Sequence, residues 1–367
     1  MPNFLFSSIE VLVGIGLLFL GGEFFVKGSV ALSLKLGIPQ LVIGLTVVSL
    51  GTSAPELFVS ISSLLKGSDV LAVSNVVGSN IFNVLVVLGG SALVLPLKVE
   101  SRLVRRDVPL LIAVSTAVWG MASAGKVTWQ AGVALLIALA INTIWEIRTV
   151  REEPEETENA EPEINVNSTK FGWFYSLGLL VIGISLLTFG ANLLVNGASA
   201  VASLLGVSEA VIGLTIVSAG TSMPELMTSL VAALKGRTDL AIGNVVGSSL
   251  LNQLLVLGGT AVIAGKGGLI VESVLINKDI PIMILTTLAC MPIFWTNGRI
   301  SRQEGGILVA LYIFYLIDQV LPKTIPGFQN EFRLVIICII LPMLLVLITY
   351  QTIKYWHKNR RDKMNFL

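Results

Sequence analysis

Residues 41–90 and 210–259 align without a gap at a constant offset of 169, with 30 identities in 50 positions. The first copy begins GLTVVSLGTSAPEL at Gly44 and runs to SNVVGSNIFNVLVVLGG, ending at Gly90; the second begins GLTIVSAGTSMPEL at Gly213 and runs to GNVVGSSLLNQLLVLGG, ending at Gly259. Shared apolar composition does not produce this match, because Gly, Thr, Ser, Pro, Glu and Asn recur. Self-similarity of this length decides the architecture: the chain is built from two copies of one unit. Each copy places a Pro-Glu pair, Pro55-Glu56 and Pro224-Glu225, inside an otherwise apolar run. A carboxylate in such a run marks a functional site by default.

The runs themselves set the solvent. The chain of 367 residues is 54% hydrophobic and 13% charged, against about 25% charged in soluble domains, and its mean hydropathy is +0.86. It reads as an all-α polytopic membrane protein. A span needs about 20 apolar residues, which predicts eleven: 8–33, 39–64, 69–95, 106–124, 127–149, 171–197, 209–234, 239–264, 279–297, 303–322 and 332–353. The stretch MPNFLFSSIE has no basic residue, so the first run reads as a retained helix and not as a signal peptide. A net charge of +1 gives no nucleic-acid signature. The two cysteines, Cys290 and Cys338, lie in apolar runs without metal-ligand spacing and read as buried small side chains.

Basic residues set the orientation. With the N-terminus outside, the inside segments hold 18 Lys and Arg and the outside segments hold 6. Five spans per half is an odd number, so the halves enter the membrane in opposite senses: residues 1–149 and 171–322 form two inverted five-helix repeats. Residues 150–170 form an acidic cytoplasmic linker, EEPEETENAEPE, whose prolines and lack of apolar residues argue for disorder. Residues 323–367 add an eleventh helix and a basic cytoplasmic tail containing His357. Inverted repeats are a transporter plan, with the site near the midplane between them. Glu23 and Lys27, one helical turn apart, read as a local ion pair; Asn192 and Asn196 occupy their places in the second copy.

The chemistry follows from spacing. Thr52 and Ser53 precede Glu56 by four and three positions and share its helical face. Pro55 lacks an N–H and clashes with the carbonyl of Gly51, so the helix should break there and release carbonyls such as those of Ser49 and Leu50. Thr221, Ser222 and Glu225, with Pro224 and Gly220, repeat the pattern. Asn75, Ser79 and Asn83 recur every fourth residue on one face, as do Asn244, Ser248 and Asn252, and Gly78 and Gly247 would allow helices to approach closely. Two carboxylates among neutral oxygens suit hard cations, Ca²⁺ above all. They would balance one Ca²⁺, or two Na⁺ with a third in excess. Moving an empty, doubly charged site across the membrane is costly, which favours obligatory exchange. A serine hydrolase using Ser53 or Ser222 would lack a base, since the one histidine is in the tail. A passive cation channel is the distant alternative, separated from an antiporter by its indifference to any counter-ion.

These motifs resemble those of the cation/Ca²⁺ antiporter superfamily, whose repeats carry G-T-S-x-P-E and G-N-x-x-G-S-N patterns, and most of all its prokaryotic sodium/calcium exchanger branch. The resemblance covers about residues 8–322. It implies ten core helices, ion sites between the second, third, seventh and eighth, and sliding of the first and sixth. It also implies electrogenic exchange of several Na⁺ for one Ca²⁺, both bound only transiently and with no resident cofactor. Carried over by position, the ligands are Thr52, Ser53, Glu56, Ser79 and Asn83 with the carbonyl of Ser49, and Thr221, Ser222, Glu225, Ser248 and Asn252 with the carbonyl of Ser218. Some relatives, potassium-dependent exchangers among them, have Asp where Asn252 stands, which argues weakly against K⁺ co-transport. Proton exchangers add an acidic residue in the third and eighth helices, where this chain is neutral; Na⁺ is therefore favoured over H⁺. The alternative is a related antiporter coupled to H⁺ or K⁺, or carrying another divalent cation. The expected setting is a prokaryotic plasma membrane, with the protein working as a monomer in the bilayer.

Overall fold

The computed structural model describes residues 4–152, 171–205, 218–295 and 298–324. The expected acidic linker beyond Glu152, residues 209–217 of the seventh span and the expected eleventh helix lie outside the described residues. The rest is helical, apart from four strands of two residues each. In chain order the elements are α1 (Phe4–Leu36), α2 (Gln40–Thr52), α3 (Ala54–Leu65), α4 (Asp69–Val94), β1 (Leu97–Lys98), α5 (103–122), β2 (Lys126–Val127) and α6 (Trp129–Glu152). Then come α7 (Phe171–Leu204), α8 (Ser218–Gly220), α9 (Met223–Leu234), α10 (238–264), β3 (Leu269–Ile270), α11 (275–295), β4 (Arg299–Ile300) and α12 (Arg302–Thr324). Among the described residues six helices are long and apolar enough to cross a membrane, and the bent pair α2–α3 makes a seventh. The expected spans at 106–124 and 303–322 fall on α5 and α12, and the described part of the span at 209–234 falls on α8 and α9; these helices are not among those seven.

The duplication is carried into local geometry. The helices α3 and α9 begin 169 residues apart, and π-helical turns Asn83–Leu88 and Asn252–Leu257 interrupt α4 and α10 at the same offset. Two more π turns, Leu103–Asp107 and Leu275–Asp279, open α5 and α11. The strands pair crosswise and antiparallel, β1 with β4 and β2 with β3. Each half also ties its last two helices together. Arg102 and Arg106 pair with Glu146 of α6, the Arg106–Glu146 contact measuring 2.8 Å. In the second half Lys278 pairs with Asp318 at 2.6 Å, while Tyr315 and Gln319 donate to Asp279 at 3.2 and 2.6 Å.

Packing divides the molecule in two. The helices α4 and α10 lie at the centre; 94% of the most apolar window of α10 is buried. Their small residues admit neighbouring backbone: a Cβ on Gly243 or Gly247 would come within 2.6 Å of the Leu41 or Leu45 carbonyl of α2. The matching approach expected at Gly78 would involve residues 210–217, which lie outside the described residues. Outside this core, α1 and α7 cross each other along most of their length. Glycines recur every seventh residue on both, at 14, 21 and 28 and at 183, 190 and 197. A Cβ on Gly14 would lie 2.7 Å from the Leu194 amide, and one on Gly190 would lie 2.9 Å from the Gly14 carbonyl. The two backbones are therefore in near contact, as small residues permit between membrane helices.

Candidate functional site

The break between α2 and α3 falls at Ser53, whose backbone (φ −83°, ψ 4°) leaves the helical region, and the axis turns by about 40°. The second copy breaks at Ser222 (φ −91°, ψ 10°). Pro55 and Pro224 therefore sit in the first turn of a new helix, where the missing N–H costs nothing. They restart the chain and do not kink a continuous helix. Glu56 and Glu225 follow in the first turns of α3 and α9, beside the positive ends of those helices. The break releases less backbone than expected. The Ser49 carbonyl already accepts the Ser53 amide at 2.9 Å and the Thr52 hydroxyl at 3.4 Å.

The fold brings the two carboxylates into one polar centre, each held by the opposite half. The Ser222 hydroxyl donates to Glu56 Oε1 at 3.0 Å, and the Ser53 hydroxyl donates to Glu225 Oε1 at 3.3 Å. Both glutamates are 0% exposed. Among the described residues their Oε2 atoms have no hydrogen-bond partner, and neither do the Ser79 hydroxyl or the side-chain amides of Asn83 and Asn252. Asn83 and Asn252 are the first residues of the two π turns, a local form frequent at functional sites. Ser248 shares a hydrogen bond of 3.2 Å with Thr52. Ser218 is the first residue of α8.

Asn75 and Asn244 take a different part from the one their spacing suggested. Each turns its amide nitrogen away from the carboxylates' free oxygens. Asn75 Nδ2 donates to the Glu56 carbonyl at 3.2 Å and to Ser60 at 3.0 Å. Asn244 Nδ2 donates to the Glu225 carbonyl at 3.3 Å and to Ser229 at 2.9 Å. Their amide oxygens accept from threonines of the other half: Thr221 reaches Asn75 at 3.3 Å, and Thr52 reaches Asn244 at 3.2 Å. Sequence reasoning also passed over Gln253. It is fully buried and links α10 to α4 by donating to Asn80 Oδ1 at 3.2 Å.

Buried polar atoms are nearly always satisfied. A cluster of unsatisfied oxygens around two carboxylates, inside a bundle of apolar helices, is the arrangement a transported cation would complete. Residues 7–148 and 175–321 match the family described as sodium/calcium exchanger protein. The chain belongs to the sodium/calcium exchanger family. It is a transporter, a cation/Ca²⁺ antiporter, and not an enzyme. It is 37% identical over 321 residues to CaxA of Alkalimonas amylolytica, covering 85% of this chain and 98% of that one. It is 31% identical to the inner membrane protein YrbG of Escherichia coli, covering 86% and 99%. Its fold matches the sodium-calcium exchanger NCX_Mj, soaked with Na⁺ and Sr²⁺, at a TM-score of 0.72 and 29% identity, over 86% of this chain and 98% of that one.

Proposed function

We propose that this exchanger moves Na⁺ against Ca²⁺ by alternating access, with the ions held where the two halves meet. The observation that carries the reading is the pair of fully buried glutamates, each with one oxygen held by a serine of the opposite half and one oxygen unpartnered. Glu56 and Glu225 supply the charge. Thr52, Ser53, Ser79, Asn83, Thr221, Ser222, Ser248 and Asn252, with the Ser49 and Ser218 carbonyls, supply neutral oxygen. The donor set contains no nitrogen or sulfur ligand and suits Na⁺ and Ca²⁺. Such a cage holds two negative charges that only bound cations compensate, so it changes sides readily only when loaded.

The halves, 1–149 and 171–322, are proposed to be inverted five-helix repeats with the N-terminus outside, joined by the 150–170 linker as a passive cytoplasmic tether. The segment 323–367 lies beyond them. The crosswise strand pairing supports the inversion. With five spans in each half, β1 and β4 share the cytoplasmic side and β2 and β3 the outer side; parallel repeats would separate each pair. The plasma membrane is the proposed location, and the monomer is the proposed working unit because both halves of the site come from one chain.

The test is ⁴⁵Ca²⁺ uptake into proteoliposomes preloaded with Na⁺, compared with vesicles preloaded with K⁺ or choline. Uptake that requires internal Na⁺ and carries a current supports the reading. Uptake driven equally by a pH gradient overturns the coupling ion, and flux that needs no counter-ion turns the reading towards a channel.

A further inference from the structure

We infer that Asn75 and Asn244 are positioning residues that orient Thr221 and Thr52 as cation ligands by accepting their hydroxyl protons. The inference rests on the site assignment just proposed and adds to it a pair of residues that touch no ion. A threonine hydroxyl has one proton and two lone pairs. Left free, it rotates and presents proton or lone pair alike to whatever approaches. Once the proton is committed to an amide oxygen, the lone pairs face away from it, and the hydroxyl becomes a fixed oxygen ligand. Outer partners of this kind orient metal ligands throughout metal-binding proteins.

Three features of the geometry favour orientation over simple bracing. The asparagine and the threonine it serves always come from opposite halves: Thr221 with Asn75, Thr52 with Asn244. The amide cannot be flipped without loss, because Nδ2 is held by two acceptors in each copy, the Glu carbonyl and a serine. The oxygen is thereby fixed towards the threonine. Finally, the same arrangement occurs in both halves with distances that agree within 0.1 Å. The two copies differ around both the threonine and the asparagine. Thr52 also lies within reach of the Ser49 carbonyl at 3.4 Å and Ser248 at 3.2 Å, so its proton has other destinations, and Asn244 Oδ1 also accepts from Ser248 at 3.5 Å. The Thr221–Asn75 pair is therefore the cleaner one to test.

The experiment is a double-mutant cycle read by equilibrium ⁴⁵Ca²⁺ binding to the purified full-length protein in detergent, with melting temperature followed in parallel. Binding does not depend on which counter-ion drives transport, so a failure of Na⁺ coupling leaves the cycle readable. Thr221→Val should weaken binding. Asn75→Leu should weaken it by about tenfold to a hundredfold, the range set by outer partners of metal ligands. The double variant should be no weaker than the worse single one, because the asparagine acts through the threonine. Ser60→Ala, which removes a partner of the Asn75 nitrogen and a 3.3 Å bond to the Ala72 carbonyl but leaves the Asn75 oxygen and Thr221 in place, should lower the melting temperature while holding Ca²⁺ more tightly than Asn75→Leu does. Multiplied losses in the double variant overturn the inference. So does Ser60→Ala matching Asn75→Leu, which would make the amide a brace between α3 and α4. Unchanged binding in Thr221→Val overturns the ligand assignment beneath both. If Asn75→Leu does not fold, the mirrored cycle of Asn244→Leu with Thr52→Val decides, with the smaller effect that Thr52's other acceptors imply.

Discussion

The two ends of the site are nearly the same in sequence and different in access. Thr52 and Asn244 are sealed, both 0% exposed, while their counterparts Thr221 and Asn75 are partly exposed. Donation of the hydroxyl protons runs the same way at both ends, Thr52 to Asn244 and Thr221 to Asn75, so residue identity does not account for the difference. The proposed alternating-access cycle would use such a difference, with one end open and the other closed, and its opposite state would exchange the two descriptions. Symmetry is kept among the groups around the two carboxylates. It is lost at the periphery, where the places of Glu23 and Lys27 on α1 are taken by Asn192 and Asn196 on α7.

The largest expected effect comes from breaking the symmetric part. Glu56→Gln or Glu225→Gln removes one of two buried charges, and taking away one partner of a buried charge pair costs about 3–5 kcal/mol. That is a loss of more than about a hundredfold in ion affinity. Near-complete loss of Ca²⁺ uptake is expected in both variants, with unchanged elution on size-exclusion chromatography. Equal losses sharpen the comparison, since the carboxylates are equivalent; wild-type uptake in either variant removes them from the site.

A smaller effect is expected where α1 meets α7. In Gly190→Val the new side chain has no room against the Gly14 carbonyl and the Leu18 amide, both 2.9 Å from the Cβ. Overpacking of this kind costs about 1–3 kcal/mol. The melting temperature should fall and the exchange rate should drop, while Ca²⁺ binding at equilibrium stays near wild type, because no group of the carboxylate cluster has moved. A change confined to binding would contradict the division into a polar centre and an apolar pair.

How far the sequence could be read follows from where each feature gets its information. The break at Ser53 was legible because Gly51 and Pro55 are local causes. The ion pair of Glu23 with Lys27, now seen at 2.9 Å, was legible because four residues separate them. The π turns at Asn83 and Asn252 were not, since no residue type marks them, and the fourfold spacing of Asn75, Ser79 and Asn83 concealed that Asn75 works differently from Asn83. The exchange of serines between halves was illegible for another reason: Ser53 and Glu225 are brought together only by tertiary packing. The sevenfold glycines lay open in the sequence, but a glycine declares its purpose only when the opposing backbone is known. Charged residues at the ends of α5 and α12 also blur their reading as spans, which the apolar runs alone had suggested.

Labelling tests the comparison of the two ends directly. In a background with Cys290 and Cys338 replaced by alanine, Thr221→Cys should react with a water-soluble thiol reagent faster than Thr52→Cys under the same conditions. With the N-terminus outside, reagent added to the outer face should account for the faster reaction, because Asn75 lies near the outer end of α4. Equal rates at the two positions would mean that the sealed and open ends are not distinct in the membrane.

The smallest effect is expected at the asymmetric tie. Glu23 pairs with Lys27 on its own helix and, at 3.2 Å, with Lys235 at the end of α9. The equivalent places in the second copy hold Asn192 and Lys66, which cannot form the same charged pair. The tie therefore joins α1 to the site-bearing helix at one end of the molecule only, and a sliding of α1 along α9, as the proposed alternating-access cycle would involve, would lengthen it. On that reading it favours the arrangement described here over its opposite. All three side chains are about a third exposed, so water and salt screen the attraction, and such pairs are worth roughly 0–1 kcal/mol. Glu23→Gln should shift the ratio of labelling at Thr221→Cys and Thr52→Cys towards equality by no more than about fivefold. The shift should be clearest at low ionic strength and should fade as choline chloride is raised, because the pair is within reach of counter-ions. A shift of the same size at high salt would place its origin in packing around Glu23. No shift at low salt would leave the difference between the two ends to the polar centre alone.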